Sequence, residues 1–180
     1  MSIASRAALG STVLLALLPM ALTVSPPAAA AADQRAERTW VLRTAADPTM
    51  VASVFNGSTT DGSTVILFPF QGDEHQKWEM IPDAGGWFQL RDMNARKCLT
   101  NHLDAVEDHA LLTMYACQEL AGQLWAQVGV ENTGTSTVVN KASGKCMDQG
   151  KPTSVGGYYQ LDQFRCTGTR SELWKITAAP

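Results

Sequence analysis

A closed all-β body with threefold pseudosymmetry is the fold the sequence predicts, on three observations. A tryptophan follows a glutamine or glutamate by two positions three times, in "HQKW" (75–78), "GQLW" (122–125) and "SELW" (171–174), so that Trp78, Trp125 and Trp174 lie 47 and 49 residues apart. Cys98 and Cys146 are 48 residues apart, and Cys117 and Cys166 are 49 apart. Unrelated landmarks therefore move by nearly one step, which is the mark of an internal repeat. Between them run short stretches such as "WVLRT", "TVILFPF", "WFQLRD", "ALLTMYAC", "TVVNK", "YYQLDQF" and "LWKI". These are rich in Val, Ile, Thr, Tyr, Phe and Trp and broken by Gly, Asn and Asp, as strands are. No long stretch holds a 3.6-residue period, so helices are not expected.

The chain opens with Arg6, an apolar stretch "AALGSTVLLALLPMALTV" and small residues at Ala30 and Ala32, which read as a secretory signal over 1–32. An uncleaved anchor is the rival reading. Pro19 and the Pro26-Pro27 pair argue against it, because a spanning helix wants about 20 unbroken apolar residues. No other stretch is long enough to span a membrane. Without Arg6, the 14 basic and 17 acidic residues leave a net charge of −4. With no Lys/Arg cluster either, nucleic acid is not an expected partner. The remaining residues, 33–180, are one domain's worth, with repeats at about 40–82, 83–130 and 131–178.

The first unit, slid back 48 residues from Cys98 and 47 from Cys117, places Met50 and Phe70 where the other units hold cysteines. Both positions are thus expected to be buried, with a Met–Phe contact replacing a bridge. An even cysteine count in a secreted chain implies disulfides. One geometry must serve both units, which selects Cys98–Cys117 and Cys146–Cys166 among the possible pairings. Each closes a loop of roughly 20 residues and stabilises by about 3 kcal/mol in the chain-entropy model. A four-cysteine metal site lacks the C-x-x-C spacing.

With the three Q-x-W-type elements, "GKCMD" at 144–148 and a second cysteine 20 residues later, the chain resembles the ricin B-type β-trefoil lectins over nearly all of 33–180. That resemblance implies twelve strands, six forming a barrel and six forming three hairpins that cap it. It implies that Trp78, Trp125 and Trp174 are core residues. Gln76 and Gln123 would satisfy backbone groups in the turn before the last strand of each repeat. Glu172 accepts hydrogen bonds but cannot donate while ionised, so the third turn should differ.

The resemblance also implies one shallow sugar site per repeat. Its parts are an Asp two residues after the first Cys, an aromatic two before the second, and an Asn before the Gln of Q-x-W. A carboxylate accepts hydroxyl hydrogens strongly, and a ring covers the C–H face of a sugar. The third repeat offers Asp148 and Phe164, with Asp162 and Ser171 beside them and Tyr158 and Tyr159 near enough to line the pocket. A turn-capping role is the alternative for Asp148. The second offers Thr100, Tyr115 and Gly122, and the first Ala52, Phe68 and His75, so neither has the anchoring carboxylate.

Two further stretches stand out. "NHLDAVEDHA" (101–110) gathers His102, Asp104, Glu107, Asp108 and His109, which suit either a metal or, as the plainer reading, a solvated acidic loop. Asn56-Gly57-Ser58 fits a glycosylation acceptor. No nucleophile elbow, no H-E-x-x-H and no free cysteine suggests catalysis, and no cofactor is expected. The expected function is a secreted, non-enzymatic carbohydrate-binding protein with a glycan partner. The alternative is a non-catalytic protein-interaction or adaptor subunit of a secreted toxin or enzyme complex, with "DQRAERTW" (33–40) as one docking segment.

Overall fold

The computed structural model describes residues 39–152 and 156–180. The signal peptide expected over 1–32, and residues 33–38 of the expected docking segment, lie outside them. Thr39 and Trp40 belong to the first strand rather than to a free arm.

Twelve strands follow in order: β1 (Thr39–Thr44), β2 (Met50–Val54), β3 (Ser63–Pro69), β4 (Trp78–Pro82), β5 (Phe88–Asp92), β6 (Cys98–Asn101), β7 (Leu112–Tyr115), β8 (Trp125–Val130), β9 (Thr135–Asn140), β10 (Cys146–Asp148), β11 (Asp162–Phe164) and β12 (Trp174–Ala178). Side chains alternate across a strand. In β9 the inward set is Ser136, Val138 and Asn140.

Six strands close on themselves. β1 pairs β4, β4 pairs β5, β5 pairs β8, β8 pairs β9, β9 pairs β12 and β12 pairs β1, all antiparallel. Closure leaves the ring without an exposed edge. The hairpins β2–β3, β6–β7 and β10–β11 cap one end and contact one another through β3–β7 and the single bridges Ile66–Gln160 and Leu111–Asp162. This is the β-trefoil architecture, with four strands per repeat.

Each repeat delivers its tryptophan to the centre. Trp78, Trp125 and Trp174 are wholly buried. Their indole N–H groups donate to Ala52 O (3.1 Å), Leu99 O (3.1 Å) and Met147 O (3.0 Å). Leu42, Leu90 and Val138 on the ring, and Val65, Leu112 and Leu161 on the cap, fill the space around them. The disulfides are Cys98–Cys117 and Cys146–Cys166, with Cα atoms 5.0 and 5.1 Å apart.

Cross-strand register corrects the expectation for the first repeat. Cys98 faces Tyr115 and Cys146 faces Phe164, and the residue that faces Phe68 is Val51, not Met50. Val51 is fully buried, whereas Met50 lies opposite Pro69 and is only half-buried. Phe70 is likewise only half-buried, and it carries the Arg43 guanidinium 4.6 Å from its ring centroid. From Val51 to Trp78 the first and second repeats differ by a step of 47, as the tryptophans do, and a one-residue slip moves a strand's side chains to the other face.

Candidate functional site

The turns before the last strands hold the Q-x-W side chains in the same pose. Gln76 Oε1 accepts the N–H groups of Gln71 (2.7 Å) and Gly72 (3.2 Å), and its Nε2 donates to Pro69 O (2.8 Å). Gln123 Oε1 accepts Gln118 N–H (2.6 Å), and its Nε2 donates to Ala116 O (2.9 Å) and Thr100 Oγ1 (3.0 Å). Glu172, with no donor to offer, accepts from Thr167 N (2.8 Å), Gly168 N (2.7 Å) and the Thr167 hydroxyl (2.8 Å). The threonine supplies the proton that the amide supplied elsewhere.

The residues two positions beyond Val51, Cys98 and Cys146 are Ser53, Thr100 and Asp148. Ser53 therefore stands at the acid position of the first repeat. Ala52 points into the core with Leu99 and Met147.

In the third repeat, Asp148 lies directly across the β10–β11 ladder from Asp162. Both are buried, and each has one oxygen, Oδ1, with no hydrogen-bond partner among the described residues. Asp148 Oδ2 accepts Gly150 N–H at 3.3 Å. Burial pushes the Asp162 carboxyl up to about 6, against the pull of His109, whose Nδ1 sits 2.8 Å from Asp162 Oδ2. The nearby Asp148 charge adds to the rise. A carboxylate stripped of water and set beside a second one holds its proton more tightly. Ser171 borders this pair, because its carbonyl accepts Gln149 N–H at 3.1 Å.

The sequence singles out His109 only as part of the 101–110 loop, and the structure brings it to the third-repeat site. Its ring stacks on Phe164, with centroids 4.7 Å apart and planes at 28°. Arg165 approaches the same ring at 5.2 Å. The 105–110 loop reaches the third repeat because Gln163 replaces the apolar Leu67 and Met114 of the sister strands. Buried there, Gln163 donates to Ala105 O (2.8 Å) and Glu107 O (3.0 Å), while the Ser143 hydroxyl donates to its Oε1 (2.7 Å). Asp108 adds ion pairs to Lys145 (2.5 Å) and Arg165 (3.2 Å). The stretch is thus a clamp between repeats rather than a merely solvated acidic loop. His102 and His109 each stack on a different ring. Among the described residues no group of three or more His, Cys, Asp or Glu is placed to hold a metal ion.

Tyr158 does not join Asp148. It packs on Phe68 (5.3 Å between centroids) and Phe55 (6.3 Å), and so lines a recess of about 340 Å³ in the first repeat with Ser53, Asp73 and His75. Tyr159 is exposed, and its carbonyl accepts Leu67 N–H at 2.8 Å.

In the second repeat Tyr115 is stacked by His102 at 4.6 Å and 9°. Thr100 donates to Cys98 O (2.8 Å) and accepts from Gln123, so its hydroxyl is committed. Gly122 has no room for the asparagine of a sugar site: a Cβ there would lie 2.5 Å from Asn101 O and from Asp104 Oδ1. The turn above it holds Leu103 at φ 57° and Asp104 at φ 50°. The same turn in the first repeat uses Asn56 (φ 52°) and Gly57 (φ 61°), which suit that region. Left-handed backbone costs an ordinary side chain about 1–2 kcal/mol.

The closed ring of six strands with three capping hairpins defines the chain as a β-trefoil. Within that class, a family model described as a ricin-type beta-trefoil lectin domain-like region matches residues 30–115. No curated protein matches the chain. Among solved structures, the designed 3-fold symmetric protein ThreeFoil has a TM-score of 0.72 at 23% identity, over 77% of this chain and 97% of its own. The Polyporus squamosus lectin, solved with the epitope Neu5Aca2-6Galb1-4GlcNAc, has a TM-score of 0.66 at 13% identity, over 78% of this chain and 49% of its own. Cytolethal distending toxin from Actinobacillus actinomycetemcomitans has a TM-score of 0.64 at 14% identity, over 79% of this chain and 92% of its own. At these identities the likeness is one of fold.

Proposed function

We propose that the protein is a secreted, non-enzymatic carbohydrate-binding protein whose glycan site is the outer end of β10–β11 in the third repeat. The observation that carries this reading is the pair Asp148 and Asp162, each with an Oδ1 that has no hydrogen-bond partner among the described residues, on the ladder that also carries Phe164. Buried acceptors without donors are costly, and vicinal sugar hydroxyls supply donors. Phe164 offers the apolar surface and Ser171 the neighbouring hydroxyl. His109 covers Phe164 in the free protein, so binding exchanges an imidazole contact for a sugar one. Single-site affinity is then weak, and strength comes from clustered glycans or several copies. The ricin-type lectin-like match over residues 30–115, the Polyporus squamosus lectin of the same fold and the two disulfides, which persist in oxidising compartments, support the carbohydrate-binding and secreted parts of this reading. The test is a glycan array probed with the chain from Asp33 onward. Saccharide-inhibitable binding that Asp148→Ala removes is expected. No glycan bound, or binding indifferent to that substitution, defeats it.

A second reading, an adaptor that binds a protein, is favoured by the second repeat. There the acid position is a committed threonine, the ring is already stacked, and a leucine stands in solvent. A toxin of the same fold gives that reading a precedent in architecture alone.

A further inference from the structure

We infer that the outer face of the second repeat is a docking site for a protein segment that presents a bulky apolar side chain next to a lysine or arginine. This rests on the adaptor reading and is independent of the Asp148 site. The face is a recess of about 430 Å³ lined by the stacked His102 and Tyr115 and bordered by Leu103, Asp104 and Leu120. Leu103 is 85% exposed and Leu120 is 48% exposed. Aliphatic groups so placed have nothing to offer sugar hydroxyls.

The backbone shows that Leu103 is held outward at the expense of local stability. Its φ of 57° belongs to the region that asparagine and glycine enter readily, and the sister turn of the first repeat uses those two residues. Leu103 holds the same shape without that ease. Local strain that the surroundings must over-determine is a pointer to function. An exposed, rigidly presented leucine beside an aromatic pair is what a partner's apolar side chain needs.

Charge fixes the second half of the ligand. From Asn101 to Trp125 the chain carries Asp104, Glu107, Asp108 and Glu119 and no Lys or Arg. Asp108 is paired to Lys145 and Arg165. Asp104, Glu107 and Glu119 enter none of the ion pairs among the described residues. Of these Asp104 lines the recess, together with Asp61, which is paired to Lys97 at 2.6 Å. An apolar contact beside an unpaired carboxylate complements a cationic partner and repels anionic lipid or nucleic acid.

The experiment uses an array of short synthetic peptides with a central Leu or Phe flanked by Lys or Arg, and matched peptides with Ala at the centre or Glu at the flanks. The chain from Asp33 onward should bind the apolar–basic set selectively. Leu103→Asn should lower that binding tenfold or more while raising the thermal midpoint, since asparagine suits the conformation; a merely structural leucine would not separate the two. Asp104→Asn should weaken binding several-fold and flatten its salt dependence. Asp148→Ala should leave it unchanged, so the sugar site fails or stands on its own array. The inference is overturned by any of four results: no selective peptide, undiminished binding by Leu103→Asn, Leu103-dependent binding to phosphatidylcholine vesicles instead, or Leu103-dependent self-association in sedimentation.

Discussion

The inner end of the barrel and its outer rim follow the same threefold plan and keep it to different degrees. Inside, three tryptophans make one bond three times, to the carbonyls of Ala52, Leu99 and Met147 at 3.0–3.1 Å. Outside, the equivalent positions are Ser53, Thr100 and Asp148. The three aromatics of the sugar-site pattern are covered by rings from unrelated places: Phe68 by Tyr158, Tyr115 by His102, and Phe164 by His109. Closure leaves the inside no freedom, because each ring strand must satisfy two neighbours at once. A rim residue is under no such double constraint and can take a partner from another repeat. Three copies of one site thus became a recess for a tyrosine, an apolar face with a strained leucine, and a buried carboxylate pair.

The comparison breaks if the inside tolerates change. Trp125→Ala removes a wholly buried ring and an indole donor that only Leu99 O receives. Large-to-small substitutions of this kind cost about 3–5 kcal/mol. Because β8 pairs both β5 and β9, the loss should appear in one cooperative denaturant transition rather than as local fraying of the second repeat. Denaturant titration showing a loss below about 1 kcal/mol would mean the three repeats are not a single closed unit.

How far the molecule could be read from its sequence follows the same division. The repeat was visible because Trp and Cys are rare and their spacing is rigid. The first repeat has no cysteine, and its alignment rested on Met50 and Phe70, apolar residues that any neighbour could imitate. A slip of one residue then put Ala52 where Ser53 belongs. Short strands such as β6 and β10 went unmarked, since "CLTN" and "CMD" are too brief to show alternation. Contacts between repeats left no local trace. His109 meets Phe164, and Tyr158 meets Phe68, across long stretches of chain, and only Gln163, a polar residue amid strand-like neighbours, hinted that something polar lies against the third hairpin.

An exchange at the Q-x-W position sharpens the contrast. Glu172 is tolerated because the Thr167 hydroxyl donates to it, whereas Gln118 stands in that place in the second repeat. Gln123→Glu would set a carboxylate against Ala116 O, which now accepts from Nε2, and would relieve itself at Thr100 only if that hydroxyl gave up its bond to Cys98 O. We expect a loss of about 2–4 kcal/mol, the range for a buried acceptor pair left without its donor. The reverse change, Glu172→Gln, exchanges charge-assisted bonds for a donor and should stay within about 1 kcal/mol of the parent. Equal losses in thermal denaturation would show that the neighbouring threonine does not matter.

The smallest effect concerns the residues that face the tryptophans across the ring. Thr44, Asp92 and Asn140 pair with Trp174, Trp78 and Trp125. Asn140 Nδ2 donates to Gly122 O (3.0 Å) and Leu124 O (3.4 Å). Asp92, wholly buried, has no amide to offer, and its Oδ1 is left without a partner. Burial pushes this carboxyl up to about 6, against the Ala95 and Asn94 N–H groups, which favour the ionised form. A group whose proton is held more tightly in the folded state stabilises fully below its unfolded value of 3.8, and that contribution is lost as pH rises through about 6. Stability should therefore climb as pH falls from 7 toward 4. Asp61 and the half-buried Asp108, held below 3.8 by Lys97 and Lys145, oppose it mainly below that window. A shift of this size sets a ceiling of about 3 kcal/mol. Asp92→Asn, which copies Asn140, should gain about 1–2 kcal/mol at pH 7 and remove part of the climb. The rest belongs to Asp162, pushed up to about 6 in the same sense. Thermal melts from pH 4 to 7 decide it. If the variant keeps the full climb, Asp92 is ionised in the folded protein throughout that range and the ring accommodates its charge.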